Sequence, residues 1–167
     1  QYVGDIKRAG VEILPVDINS SRLSHVKEGT GIRLSLRSVL GVGPAAIEKI
    51  MAGQPYTDFI DFLDRSGATK TSTIPLIKVG AFESICKKPM KELESKYTMY
   101  AENPKLKTKK MREEWLKIWD SPFSEPDHPD YIKVGFENEL LGFCSRGSPF
   151  EILGRAEKIE MLTRERM

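Results

Sequence analysis

The residues best suited to bind a ligand lie in one short stretch, Gly41-Val42-Gly43-Pro44. Its two glycines allow the backbone to turn sharply, because glycine adopts left-handed dihedral angles without a steric penalty. Pro44 suits the first position of a helix, where its missing N–H would have no helical partner anyway. The stretch therefore predicts a tight turn that leads directly into a helix, with Leu36–Met51 as a helix, a hairpin and a second helix.

The start of this second helix is predicted to attract an anion. The first N–H groups of a helix have no partner inside it, and the helix dipole favours negative charge there. Ala45 and Ala46 are small enough to leave those groups accessible, while Arg37 and Lys49 add positive charge on either side of the turn. We expect a nucleic-acid phosphate to bind here. A glycine turn and a proline also build an ordinary pair of helices without a ligand, and these residues alone leave that alternative open.

No other group of residues in the chain predicts a reactive site. The two cysteines and two histidines lack the spacing of a metal site or a disulfide framework: Cys86, Cys144, His25 and His128. The carboxylates are scattered among basic residues, whereas nuclease or glycosylase chemistry needs clustered carboxylates, a catalytic lysine or a metal set. We therefore expect no catalytic residue, no metal ligand and no cofactor, and an independent repair enzyme is the weakest interpretation.

Charge is distributed unevenly along the 167 residues. The net charge of +2 is too small to predict a nucleic-acid partner by itself. Residues 87–117 nevertheless carry ten basic side chains against five glutamates, and residues 120–139 carry six acidic side chains and one lysine. Such runs are usually solvated helix faces, and a binding surface is the alternative. Without a secretory signal or an apolar run of membrane length, we expect a cytoplasmic protein with no membrane partner.

The elements around the glycine turn predict a mainly α fold with a small β-hairpin or sheet near the N-terminus. Residues 1–9 resemble the end of a helix that Gly10 closes, and the chain from Gln1 reads as a piece of a longer protein. Residues 11–19 are β-rich, and residues 23–26 and 32–36 predict a hairpin. A minor sheet therefore precedes the central turn.

A second helix, glycine turn and helix follow the first. Thr57 is the predicted N-cap of a helix that buries Phe59, Phe62 and Leu63. Ser72 or Thr73 is predicted to cap the next helix, which holds Pro75 in its first turn and ends at Gly80, and residues 81–85 begin another. The sequence thus predicts a tandem helix-hairpin-helix followed by additional helices.

The later part of the chain is predicted to be helical around a proline-rich linker. Asn103 and Pro104 are expected to begin a helix, and Trp115 and Trp119 lie on an apolar stripe that indicates core packing rather than base stacking. Residues 121–130 contain three prolines and predict the linker. Helical spacing then predicts a helix around residues 132–143, and Ser148 and Pro149 begin a last one. That last helix is expected to run to about Lys158.

Five stretches, in order and spacing, resemble bacterial and phage DNA polymerase III alpha subunits of the C family: VGDIKRAGVEILPVDIN, GIRLSLRSVLGVGPAAIEKI, FIDFLDRSG, LIKVGAFESI and ENELLGFCSRGSPF. The match covers residues 1–85 and 136–153, whereas residues 87–135 match nothing we can name. The resemblance implies a tandem helix-hairpin-helix that grips the primer-template duplex behind the active site. The family's catalytic aspartates, and the Mg²⁺ that the palm would use, lie outside this chain.

The resemblance implies binding of double-stranded DNA without sequence specificity. The predicted DNA-binding residues are Arg37, Gly41, Val42, Gly43, Pro44, Ala45 and Lys49 in the first hairpin, with Lys70, Lys78 and Gly80 in the second. Two residues depart from the family pattern: Ser148 replaces a histidine, and Pro75 replaces a helix former, which would shorten or silence the second hairpin. Residues 86–135 contain no convincing clamp-binding peptide, and Gln54–Phe59 has the ends of such a peptide but lacks its aliphatic middle.

The predicted organisation has four parts. Residues 1–35 form a fingers-like helix end and a small β element, and residues 36–86 form the tandem module. Residues 87–130 form a charged helical arm with its linker, and residues 131–167 lead toward an oligonucleotide-binding domain that the chain does not include. The alternative function is a protein-interaction module that docks a sliding clamp or another replisome partner through residues 87–130.

Overall fold

The computed structural model describes residues 9–142. Its strands are β1 Glu12–Leu14, β2 Val26–Glu28 and β3 Gly31–Arg33. Its α-helices are α1 Pro44–Gly53, α2 Phe59–Arg65, α3 Lys70–Lys78, α4 Met90–Glu102, α5 Arg112–Asp120 and α6 Asp130–Leu141. Short 3-10 turns cover Leu36–Ser38, Pro104–Lys107 and Lys109–Met111. The predicted fold class is confirmed, while the helices predicted at residues 1–9 and 148–158 fall outside the described residues.

The small sheet has the strand order β1-β3-β2. β1 runs parallel to β3, with Ile13 opposite Ile32, and β2 runs antiparallel to β3. The predicted hairpin is therefore present, although its strands are only three residues long. Gly29 forms the tight turn between them with a φ of 61°, a backbone angle that residues other than glycine rarely adopt.

The segment between the sheet and the first hairpin is fastened to the helices. Asn19 exchanges two hydrogen bonds with Tyr56: its amide donates to the Tyr56 carbonyl over 2.8 Å, and its oxygen accepts the Tyr56 N–H over 2.7 Å. The Gln54 side chain donates to the Ile18 carbonyl over 2.6 Å, and the Ile18 N–H donates to the Ala81 carbonyl over 2.8 Å. These bonds tie the N-terminal segment to both predicted hairpins.

Aromatic side chains from four parts of the chain meet in one core. Phe59 stacks on Trp119 with ring centroids 5.4 Å apart and meets Phe82 and Tyr97 edge-on at 4.9 and 5.9 Å. Trp115 is fully buried. The prediction that both tryptophans belong to the core is confirmed, and α4 and α5 pack against the helices of the hairpins.

Helix α4 lies in the predicted charged helical arm, although its bounds were not predicted, and a buried lysine fastens it to α5. Lys96 is only 4% exposed, and its ammonium donates to the carbonyls of Trp119 and Ser121 over 2.8 and 2.6 Å. It also pairs with Glu92 at 2.8 Å. Burial raises the pKa of Glu92, but hydrogen bonds from Lys96 and Lys88 outweigh it and leave the pKa below its ordinary value.

Two predicted helix starts are wrong. Asp58, not Thr57, caps α2, because its carboxylate accepts the Asp61 N–H over 2.7 Å. Helix α3 begins after Thr69 rather than at Ser72 or Thr73, so Pro75 lies inside the helix and not in its first turn.

Three predicted helices are shorter or absent. A single 3-10 turn replaces the helix before Gly41, and hydrogen-bonded turns replace the helix expected at residues 81–85. Asn103 accepts the Lys105 N–H as a cap, yet only 3-10 turns follow it until α5 starts at Arg112. Within residues 9–142, no helix combines the length and the apolar character that a bilayer crossing requires.

Candidate nucleic-acid interface

The first hairpin turns as the glycines predict. Gly41 has a φ of 95°, in the left-handed region that favours glycine. Val42 points into the core at 6% exposure, and its N–H donates to the Val39 carbonyl over 3.2 Å. Gly43 is extended, with φ −81° and ψ 169°, and serves as the N-cap of α1, which begins at Pro44. The turn is thus anchored from below while its glycines face solvent.

The start of α1 is open to a ligand. Gly43, Pro44 and Ala45 are exposed, and a Cβ added at Gly43 would meet no atom within 4 Å. No side chain caps the helix, and its first turn contains no acidic residue. The N–H groups of Ala45 and Ala46 therefore sit at a helix end that favours an anion.

The turn of the first hairpin packs directly on α3 at Pro75. A Cβ added at Gly41 would lie 3.2 Å from the Pro75 ring and 3.4 Å from the Thr71 carbonyl oxygen. Because proline has no N–H, Pro75 cannot donate the usual helical hydrogen bond to the carbonyl of Thr71, four residues earlier. The ring of Pro75 and the Thr71 carbonyl instead face the turn of the first hairpin at Gly41. The proline joins the two hairpins instead of only interrupting the second.

The two basic residues of the first hairpin remain free to bind. Arg37 and Lys49 are exposed, and neither forms an ion pair with any of residues 9–142. Lys49 lies four residues after Ala45 and therefore on the same face of α1, opposite the buried Ile47 and Ile50. An anion at the helix start would thus find a second positive group along the same face.

The second hairpin offers less to an anion. Helix α3 ends at Lys78, and Gly80 follows its C-cap with a φ of 79°. The Gly80 N–H donates to the Ile77 carbonyl and the Ala81 N–H to the Leu76 carbonyl, both over 3.0 Å. This pattern is a Schellman motif, in which the helix end uses the N–H groups of the turn. The ammonium of Lys78 lies 4.8 Å from the Phe136 ring centroid.

Lys70 is also engaged. Its ammonium lies 2.5 Å from the Glu102 carboxylate at the end of α4. The structure therefore places Lys70, Lys78 and Gly80 in contacts within the protein, whereas the glycines, Arg37 and Lys49 of the first hairpin face outward.

The remaining charged pairs around the hairpins hold the fold together. Arg65 pairs with Asp61 and donates to the Gly53 and Pro55 carbonyls over 2.9 and 2.8 Å, which fixes the α1–α2 connection. The Arg65 guanidinium holds the pKa of Asp61 well below its usual range.

Burial raises the pKa of the Cys86 thiol. Among residues 9–142, no histidine, cysteine, aspartate and glutamate side chains are grouped so as to hold a metal ion.

Sequence reasoning missed a second basic surface. Four lysines follow α4 on the 3-10 turns of residues 104–111: Lys105, Lys107, Lys109 and Lys110. All four are exposed. They had been counted only as members of a longer charged run, and the signal that would have separated them is the absence of any acidic residue between Glu102 and Glu113.

Comparisons with known proteins agree with the geometry. Residues 10–91 match the helix-hairpin-helix motif family. The chain is 34% identical over 91 residues to the DNA polymerase III subunit alpha of Mycobacterium tuberculosis, which covers 50% of this chain and 8% of the relative. It is 32% identical over 157 residues to that of Aquifex aeolicus, covering 89% of this chain and 13% of the relative. An error-prone DNA polymerase of Corynebacterium diphtheriae is 34% identical over 83 residues, 50% of this chain and 8% of the relative.

Proposed function

We propose that the first hairpin binds the backbone of duplex DNA. The proposal starts from two findings: residues 10–91 match the helix-hairpin-helix motif family, and the chain is homologous to DNA polymerase III alpha subunits. The chain spans only 8% and 13% of the M. tuberculosis and A. aeolicus relatives. The observation that carries the proposal is the uncapped, exposed start of α1 at Gly43.

The chemistry of this helix start suits a phosphate group and offers no means of recognising particular bases. Backbone N–H groups and a helix dipole recognise negative charge and are indifferent to the base sequence. Gly41, Gly43 and Pro44 keep side chains out of the way, Val42 anchors the turn, and Ala45 adds only a methyl group. Binding should therefore be equal for unrelated duplexes.

Arg37 and Lys49 are proposed to contact neighbouring phosphates. Both are exposed, and neither would have to give up an ion pair with a described residue in order to bind. Lys70, Lys78 and Gly80 are proposed as a smaller contribution from the second hairpin. Lys70 would first have to leave Glu102, and Lys78 would have to leave the Phe136 ring.

Within a complete polymerase, the proposed role is to position the primer-template duplex behind the active site. The relatives are named as DNA polymerase III alpha subunits. The resemblance implies that the catalytic aspartates and their Mg²⁺ belong to a palm domain rather than to the residues proposed here. The residues proposed here therefore hold DNA and take no part in the transfer of a nucleotide.

Docking of a sliding clamp through residues 87–130 stays a prediction. The stretch with partial likeness to a clamp peptide, Gln54–Phe59, is not free to bind, because Tyr56 and Phe59 are 2% and 1% exposed. The Gln54 side chain is held by the Ile18 and Ser21 carbonyls. Any clamp contact must use other residues.

Fluorescence anisotropy with labelled duplexes of two unrelated sequences tests the proposed function. With about two to four phosphates neutralised, log affinity should fall with log salt at a slope of about −2 to −4 for both duplexes. Replacing Arg37 and Lys49 by glutamine should make the slope shallower by about 2, since each phosphate contact contributes about 0.9. An affinity that does not depend on salt, or binding to one of the two duplexes only, would refute the proposal.

A further inference from the structure

The lysine segment, residues 104–111, is an ordered carrier of positive charge. Leu106 is 4% exposed and anchors it, while Lys105, Lys107, Lys109 and Lys110 point to solvent. Its backbone is held by 3-10 bonds, including Thr108 N–H to the Lys105 carbonyl at 3.2 Å. The four ammonium groups form no ion pair with residues 9–142.

An ion pair joins the lysine segment to the end of α2. Arg112, directly after the segment, forms two bonds with the Asp64 carboxylate at 2.7 and 2.6 Å, which places the segment next to the end of α2. Three residues after Asp64, Gly67 faces the side-chain stem of Lys49, with 3.8 Å between an added Cβ and the Lys49 Cδ. The stretch from Asp64 to Gly67 thus contacts both Lys49 of the first hairpin and Arg112, the residue that follows the lysine segment.

The nearby acidic groups do not cancel this charge. Asp64 is neutralised by Arg112, and Glu102 is neutralised by Lys70. These pairs therefore remove the two carboxylates that would otherwise attract the segment's lysines. These pairs leave the four lysines of the segment against the exposed carboxylate of Glu113, which follows the segment in the chain.

We propose that the lysine segment binds the phosphate backbone of the same duplex that the first hairpin grips, and supplies a second contact where the second hairpin is occupied by protein contacts. This inference rests on the proposed function. The Lys78–Phe136 contact and the Schellman motif at Gly80 explain why the second hairpin is expected to contribute less to DNA binding than the first. Lysines on flexible stems deliver charge without a fixed bonding geometry, which suits a backbone read without sequence.

An acidic protein segment is the competing partner, and the apolar content of the surface argues against it. Protein interfaces are anchored by buried aromatic or aliphatic side chains in the centre of the contact. The apolar side chain in the middle of the segment, Leu106, points into the core. The ring of Tyr100 lies under the Lys107 ammonium, 5.6 Å from its centroid, and is half-buried. Besides the four lysines, the exposed side chains of residues 104–111 are Pro104 and Thr108, and none of them is a large apolar group.

The test compares two double substitutions that each remove two exposed, unpaired lysines. Lys109→Gln with Lys110→Gln alters the segment, and Lys27→Gln with Lys87→Gln is the matched control elsewhere on the protein. Anisotropy titrations of the full chain with duplex DNA should show a salt slope shallower by about 2 for the segment variant and by less than about 0.5 for the control. Thermal unfolding should be equal for the two variants.

The outcomes separate the two proposals. Equal slopes for segment variant and control would overturn the segment proposal and leave the hairpin proposal standing, with an acidic protein partner as the next candidate. A shallower slope for the segment variant, with no effect of replacing Arg37 and Lys49, would support the segment and refute the hairpin grip. A wild-type chain that binds no duplex at low salt would overturn both.

Discussion

Replacing Gly43 with aspartate should strengthen the fold and weaken DNA binding at once. Gly43 is the extended N-cap of α1, and an added Cβ meets no atom within 4 Å, so the side chain fits without strain. Aspartate is among the best N-cap residues, because its carboxylate accepts a first-turn N–H. The N–H groups proposed to bind phosphate are then occupied by a negative charge.

The two effects have opposite signs and measurable sizes. Capping and the helix dipole should raise the free energy of unfolding by a few tenths to about 1 kcal/mol. A carboxylate roughly 5 Å from a bound phosphate costs about 1–3 kcal/mol for an effective dielectric constant between about 80 and 20. That cost corresponds to an affinity loss of about 5- to 150-fold.

The assay pairs urea unfolding with duplex anisotropy at low salt, and Gly43→Asn is the control. Asparagine caps a helix about as well as aspartate but carries no charge. We expect both variants to unfold at higher urea than the wild type, with the aspartate variant binding DNA at least several-fold more weakly than the asparagine variant. Equal affinities for the two variants would show that no phosphate sits at the start of α1.

Three further predictions concern the fold that holds this site. Lys96→Ala should lower the free energy of unfolding by about 2–4 kcal/mol in urea titrations, because two carbonyls at the end of α5 lose a buried donor; an unchanged midpoint would contradict it. Stability should fall as pH drops below about 5, since the stability from the lowered pKa of Glu92 is fully present above its unfolded value of about 4.5 and is lost as pH falls through the lower folded pKa. Glu92→Gln should flatten that fall in acid-unfolding curves, and parallel curves would refute it. Gly41→Ala should cost about 1–3 kcal/mol through its positive φ and its contact with Pro75, whereas Gly43→Ala should cost less than about 1; similar thermal shifts for both would be the contrary result.

The parts of the fold that local chemistry dictates were predicted from sequence. Gly41, Gly43 and Pro44 act through their own backbone, so the turn and the start of α1 follow from residue type alone. Helix boundaries were harder, because Thr57 and Asp58 are both good N-cap residues and only the backbone decides between them. Pro75 was misplaced because proline favours a first turn, while here the close approach of Gly41 to α3 accommodates it in the interior.

Other features depend on residues that are distant in the chain. The bounds of helix α4 could not be predicted because Lys96 occupies a core position, and its acceptors lie beyond residue 118. The partner of Lys70, Glu102, lies 32 residues away, so its occupation could not be read from the hairpin sequence. The same holds for the lysine segment, whose place beside the end of α2 depends on the Arg112–Asp64 pair.

The tip of the first hairpin is also the cap of another helix. Leu40 has a largely exposed side chain, yet its N–H donates over 2.8 Å to the Leu140 carbonyl in the last turn of α6, where a helix has no partner of its own. The docking equilibrium of α6 and the conformational equilibrium of the hairpin are therefore coupled through this hydrogen bond. By thermodynamic reciprocity, if docked α6 raises the affinity of the hairpin for a ligand, the bound ligand raises the docking equilibrium of α6 by the same factor.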